Sequence, residues 1–258
     1  MSARMLGCIP SVLTPREQDF VYRPKTARLR AQPLNYTLRP SFTPFPPYDQ
    51  GALRSCVANA LAAPVQLKRF RQGAKGAKQF MPSRLFIYYN GRVREYNVMA
   101  DAGMQIVTGI RTLVDEGACS EKTWAYNLAR FRTYPSQAAW REGKKCQLLK
   151  YERVLQDAAQ MKGCLLAGNP VVTGFVVYDS FMTAAVARTG KAPLPLAGER
   201  ALGGHAVVLV GYDDGQGLWL LRNSWNVAWG DKGYFTLPYE YLLSPKFAFD
   251  FWSIDAVE

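Results

Sequence analysis

From about Tyr48 onward the apolar positions of the chain follow two successive regimes. In the first they recur three and four residues apart, which is helical spacing. "SCVANALAAPVQLKRF" puts Val57, Ala60, Leu61 and Val65 on one face, with Ser55 as a good N-cap just before it. "PSRLFIYYNGRVREY" and "AGMQIVTGIRTLVDEGA" predict two more helices, the second closed by Gly117. "YERVLQDAAQMKGCLLAGNP" predicts a fourth, stopped by Gly168 and Pro170. Pro64 falls inside the first of these helices and predicts a kink there or an earlier end. In the second regime "PVVTGFVVY", "HAVVLVGYDD", "GLWLLRNSW" and "GYFTLPYEYL" are short, rich in Val, Leu and aromatics, and separated by Gly and Asp turns. Helices followed by strands predict an α+β chain of two lobes, helical over about 47–148 and β-rich over about 149–258. Residues 187–204 predict a long surface loop.

Residues 1–46 break the pattern. They are rich in Pro and Arg, show no sustained period, and predict an extended segment that lies along the folded body or stays disordered. The rest of the composition narrows the class. At 258 residues, 48% hydrophobic and 20% charged, the chain can bury a full core. No run approaches the roughly 18 apolar residues that a membrane span needs. "MSARMLGCIPSVL" lacks the apolar centre of a secretory signal, and Cys8 stands too near the start for a lipoprotein signal. Five cysteines, an odd number in a long chain, fit a reducing compartment, so the expectation is a cytoplasmic protein. The net charge is +12, and Lys68, Arg69, Arg71, Lys75 and Lys78 cluster in "LKRFRQGAKGAK". Without interleaved aromatics or a nucleic-acid motif, this cluster reads as a solvated helix end, and no nucleic-acid partner is expected.

One constellation carries chemistry. Cys56 stands in the first turn of a predicted helix, where free N–H groups and the helix dipole favour thiolate. The chain owns a single imidazole, His205, in "GGHAVVLVGY". A cationic ring beside the thiol would lower its pKa and form an ion pair. Asn223, in "LLRNSWNVAWGDKGYF", lies on the next predicted strand and can accept from the second ring N–H. Trp225 and Trp229 can shield that bond from water. Gln50, six residues before Cys56, can join the Cys56 amide as a two-donor oxyanion hole. Cys119, Cys146 and Cys164 have no metal-ligand spacing and read as structural thiols, with Cys8 undecided; Asp101, Asp213 and Asp214 read as turn residues.

These blocks, in this order, resemble the papain-like cysteine peptidases, in particular a compact bacterial or viral-type branch, over about Tyr48 to Trp252. "NSWNVAWGDKGYF" is similar to the family's asparagine block in all but one fixed position, where Asn226 replaces glycine. "GHAVVLVGYDD" resembles the histidine block, and "QGALRSC" keeps the glutamine-to-cysteine spacing. The resemblance implies a papain-like two-lobed fold: a helical lobe plus an antiparallel β-barrel-like lobe. It implies peptide-bond hydrolysis through a thioester, without cofactor or metal, on a peptide or protein substrate. It also implies that Gly103 offers backbone hydrogen bonds to an extended peptide, and that Arg54, Gly204 and Trp225 contact the substrate beside it. Departures fall at Leu53, which removes a disulfide typical of secreted members; at Arg54, which puts bulk where the substrate backbone passes; and at Gly204, which removes a polar group beside the imidazole. Residues 1–46, ahead of a catalytic domain over 47–258, are expected either to cross the cleft and keep the enzyme latent or to form a belt packed elsewhere. A binding protein on the same frame, and a transferase or deamidating effector using the same triad, stay open.

Overall fold

The computed structural model describes residues 4–24, 32–73 and 80–258. Lys75 and Lys78 of the basic cluster, and residues 25–31 of the N-terminal segment, lie outside the described residues. The first half holds β1 (Cys8–Ile9), α1 (Pro15–Asp19), β2 (Asn35–Thr37), α2 (Cys56–Arg71), α3 (Arg84–Arg94), β3 (Met104–Gln105), α4 (Ile106–Asp115) and α5 (Gln137–Gly143). The second holds β4 (Leu148–Arg153), α6 (Ala158–Leu166), β5 (Val171–Tyr178), α7 (Ala184–Thr189), β6 (Ala201–Asp213), β7 (Leu218–Arg222), β8 (Tyr234–Pro238), α8 (Tyr239–Leu243) and β9 (Ala248–Val257). The fold is α+β, as expected.

The antiparallel sheet runs β4-β9-β5-β6-β7-β8, with β2 added to β6. Its two ends do not pair with each other, so the barrel-like lobe is an open sheet and no barrel closes. β1 and β3 form a separate parallel pair.

Helix α2 is the axis of the molecule. Every residue from Cys56 to Leu67 is buried, so the one-sided face read from the sequence is in fact buried all round. α3 and α4 pack on α2 from one side, β6 and β9 from the other. The helix continues through Pro64 to Arg71 rather than ending early. The lost backbone bond costs about 3 kcal/mol in a helix interior, and burial of the surrounding apolar residues offsets it. Ser55 precedes α2 but does not cap it. Its hydroxyl instead contacts the Tyr126 hydroxyl at 2.5 Å and accepts from the Asn59 amide at 3.1 Å.

Two other expectations change. "YERVLQDAAQ" is split: β4 covers its start, and α6 begins only at Ala158, where the Asp157 side chain accepts from the Gln160 N–H. The predicted loop at 187–204 shrinks to 190–200, because α7 runs to Thr189 and β6 starts at Ala201.

The segment before residue 47 is anchored at both ends. β2 pairs antiparallel with β6, and Leu38, Phe42 and Phe45 are buried in the body. The Arg222 guanidinium lies 4.9 Å over the Phe42 ring, and Phe45 meets Phe70 edge-on. α1 is fixed by a capping box between Thr14 and Glu17, and Glu17 pairs with Arg111 at 2.6 Å. Truncating a buried Phe removes its burial and leaves a cavity. Phe42→Ala is therefore expected to lower unfolding free energy by about 3–5 kcal/mol in a denaturant titration. Deleting residues 1–45 removes β2 and all three anchors together and should yield no soluble folded chain; a cooperative unfolding transition in that deletion would contradict this packing.

Candidate active site

Cys56, His205, Asn223 and Gln50 come from four different segments, and the fold brings them to one cleft. Cys56 opens α2 with its side chain buried, and its sulfur accepts from the backbone amides of Ala206, Gly7 and Val57. The Ala206 contact puts the thiol beside the residue that follows His205. His205 lies on β6 opposite Phe175 of β5. Its ring stacks on Trp225 at 4.7 Å and meets Phe175 at 5.8 Å.

The tautomer of His205 follows from its partner. Asn223 Oδ1 accepts the Ser224 N–H at 2.8 Å, which fixes that atom as oxygen. The same Oδ1 lies 2.8 Å from His205 Nε2, so Nε2 carries the proton and donates. Nδ1 has no hydrogen-bond partner among the described residues and is left as the base. Trp225, Trp229, Phe181 and Phe175 surround this pair with aromatic rings, so water does not compete for the bond. Gln50 ties the two halves together. Its Oε1 accepts from the Ser224 hydroxyl at 2.8 Å, and its Nε2 donates to Leu53 O at 2.9 Å.

The N-terminal segment fills the cleft. Gln50 Nε2 also donates to Met5 O at 2.9 Å. Arg4 pairs with Asp49 at 2.7 Å and donates to Trp225 O at 3.0 Å. Arg54 Nη1 donates to Leu6 O at 3.3 Å, and the Met104 N–H donates to Gly7 O at 2.9 Å. A Cβ built on Gly204 would lie 2.1 Å from Cys8 O. Arg54, Gly103, Gly204 and Trp225, named from the sequence as substrate contacts, thus all touch residues 4–8. The hydrogen bond at the groove edge comes from Met104, because the Gly103 N–H is held by Tyr88 Oη at 3.2 Å. Gly103 has φ +81, and a side chain there would strike Gly7 O at 2.1 Å. Between the segment, Arg54, Gly203 and Gly204 there remains an open groove of about 360 Å³. A larger pocket, about 490 Å³, lies between β2, β7 and β8 and contains none of these residues.

Burial sets the protonation of the covered pair. It lowers His205 to about 4, opposed by the bond to Asn223. It raises Cys56 to about 11, opposed by the backbone amides around the sulfur. The thiolate–imidazolium pair expected from the sequence is opposed by burial beneath the segment, which favours the neutral form of each group. Asn226 stands at φ +76, a left-handed conformation that Asn tolerates better than other side chains, which accounts for its replacing glycine. Cys8, Cys119, Cys146 and Cys164 are free, buried, and shifted upward by burial. Asp213 and Asp214 stay in turn and tether roles, accepting from Gln216 and from Lys162 and Tyr239. No group of three His, Cys, Asp or Glu among the described residues could hold a metal. Asp49, Asp101 and Tyr88, which contact the site, were not among the expected site residues; their signal is only positional, since none belongs to a recurrent motif.

Residues 99–241 match the family model described as papain family cysteine protease. The chain is 41% identical over 217 residues to an uncharacterized peptidase C1-like protein of Acanthamoeba polyphaga mimivirus, covering 81% of this chain and 69% of that one. It superposes on the crystal structure of xylellain, a cysteine protease from Xylella fastidiosa, with a TM-score of 0.91 and 38% identity over 98% of this chain and 96% of that chain. A cathepsin B-like cysteine proteinase of Caenorhabditis elegans is 40% identical over 83 residues, only 30% of this chain and 22% of that protein.

Cys56 is fully buried beneath the segment, and burial raises its thiol to about 11. Alkylation requires an accessible thiolate, so Cys56 in the full-length chain is expected to react with iodoacetamide at pH 7 at least about tenfold more slowly than a free cysteine thiol, as read by peptide mapping of the labelled chain. A rate equal to that of free cysteine would contradict the covered thiol.

Proposed function

The chain belongs to the papain family of cysteine proteases and is a thiol peptidase; from that premise we propose that Cys56, His205, Asn223 and Gln50 carry out peptide-bond hydrolysis and that residues 4–8 keep the enzyme latent. The observation that carries the reading is the His205 Nε2–Asn223 Oδ1 bond at 2.8 Å with Nδ1 left open. It leaves the ring one base, on the nitrogen not engaged by Asn223, with the thiol beside the next residue.

In the open cleft the site gains water, and the burial that holds Cys56 and His205 neutral is relieved. The proton then moves from sulfur to Nδ1. The thiolate attacks the substrate carbonyl, whose oxygen takes the place held by Met5 O at the Gln50 amide, with the Cys56 N–H as its second donor. His205 gives its proton to the leaving amine as the C–N bond breaks and a thioester forms. It then takes a proton from water, which attacks the thioester and returns the thiol. Asn223 keeps the ring in the tautomer that both steps need.

Direction explains why the segment blocks rather than reacts. The leaving nitrogen of a substrate must face His205, so the acyl residues extend away from it, along Gly103 and Met104. Residues 4–8 run the other way. Arg4 lies at Trp225, Met5 at Gln50, and Gly7 and Cys8 at Met104. The nitrogen of the Met5–Leu6 bond thus faces away from the acid that would protonate it.

The test keeps the chain whole. A Cβ on Gly7 would lie 2.2 Å from Arg54 O, a backbone atom that cannot step aside. Overpacking of this kind costs about 1–3 kcal/mol, so Gly7→Leu should expel the segment and raise hydrolysis of a fluorogenic dipeptidyl amide at least about tenfold. Cys56→Ala should abolish turnover in both backgrounds. Hydrolysis that survives Cys56→Ala refutes the nucleophile, and a Gly7→Leu chain no faster than its parent refutes latency.

A further inference from the structure

We infer that Asp101 is a positioning residue for substrate binding, its carboxylate tying the loop before Cys56 to the groove edge that receives the peptide; this rests on the peptidase reading above. The Arg54 N–H, two residues before the nucleophile, donates to Asp101 Oδ1 at 3.0 Å and Oδ2 at 3.2 Å. The Tyr88 hydroxyl donates to Oδ1 at 2.5 Å. Because its proton points to Asp101, the Tyr88 oxygen keeps its lone pairs for the Gly103 N–H, 3.2 Å away. One carboxylate therefore decides which amide of the edge faces the cleft. Gly103 N–H is taken, and Met104 N–H is presented, bonded here to Gly7 O.

The surroundings leave the tie little slack. Tyr88 is buried on α3, and the Arg92 guanidinium lies 4.1 Å over its ring. Arg92 is itself buried and donates to Val98 O and Ala100 O, fixing the chain that leads into Asp101. No disulfide ties the loop before Cys56, since all five cysteines are free, and Arg54 N–H to Asp101 supplies a noncovalent hold. Bonds to a carboxylate are the stronger kind, and loss of this one leaves the hydroxyl of the buried Tyr88 without its acceptor.

Two substrates separate positioning from support of the fold. A dipeptidyl amide has an acyl residue that reaches Met104; a single-residue ester has none and reports only the chemistry at Cys56. In the full-length Gly7→Leu background, Asp101→Ala should raise KM for the dipeptidyl amide about tenfold, leaving its kcat and ester hydrolysis within about twofold. Asp101→Asn keeps one oxygen acceptor and should recover most of the loss; Tyr88→Phe should raise the same KM. Amide exchange, followed by NMR in the otherwise unaltered full-length chain, should speed at Arg54 and Gly103 in Asp101→Ala but not in β5 and β6. Equal loss on both substrates, or unchanged exchange at Arg54 and Gly103, overturns the inference. If the Gly7→Leu parent hydrolyses neither substrate, the peptidase reading has failed, and the exchange measurement alone decides whether Asp101 holds the edge.

Discussion

One hydrogen bond organises the cleft: His205 Nε2 to Asn223 Oδ1. It matters because the ring is fully buried, and an imidazole in that setting has neither water to orient it nor a carboxylate to fix its charge. Asn223 is a neutral acceptor, so it sets the tautomer while favouring the cation less than burial disfavours it. That leaves the charge state of His205 to be decided by what covers the cleft. The aromatic rings of Trp225, Trp229, Phe175 and Phe181 exclude water from the far side of the ring. On the cleft side stand residues 4–8.

The same logic explains why a helix N-terminus is not enough to make Cys56 a thiolate. Dipole and amides favour the anion, and four backbone groups do contact the sulfur, yet burial outweighs them and raises the thiol to about 11. The order of the two effects reverses only if water enters. Latency on this reading is electrostatic as well as steric: the segment removes the solvation that the ion pair needs, besides occupying the place of the substrate.

The site was legible in the sequence because its chemistry leaves few candidates. A single histidine, a cysteine at a predicted helix start and an asparagine in a Trp-flanked block have few other joint uses. Periodicity was legible in the two regimes, helical and then strand, where the period was strong. It failed at "YERVLQ", whose Tyr151, Val154 and Leu155 sit at helical spacing, because the cap at Asp157 postpones the helix and the sheet edge claims the rest. β9 was invisible for another reason. Asp250, at φ +56, sits inside it opposite the register shift between Thr173 and Gly174, and that irregularity breaks the alternation a strand would show. The occupant of the cleft had no signal either. Residues 4–8 have no period to read, and the requirement for glycine at 7 becomes apparent only once Arg54 O is seen pressed against it.

The basic excess of the chain looks different once its partners are seen. Among the described residues of the cluster, Lys68 reaches Asn169, Arg69 reaches Lys145 O and Glu258 O, and Arg71 reaches Gly168 O and Ser41. Deeper in, Arg222 donates to Pro46 O, Arg84 to Asp49 O, and Arg92 to Val98 O, Ala100 O and Phe131 O. These guanidinium groups do what ordered water or regular structure does elsewhere: they satisfy carbonyls of irregular, partly buried backbone. The chain's five cysteines are all free, and its irregular connections are braced instead by arginines, of which Arg92 reaches three carbonyls and Arg69 two. Part of the positive charge is thus a consequence of how these loops are braced, and Asp101, accepting from Arg54 and Tyr88, is the anionic counterpart of the same device.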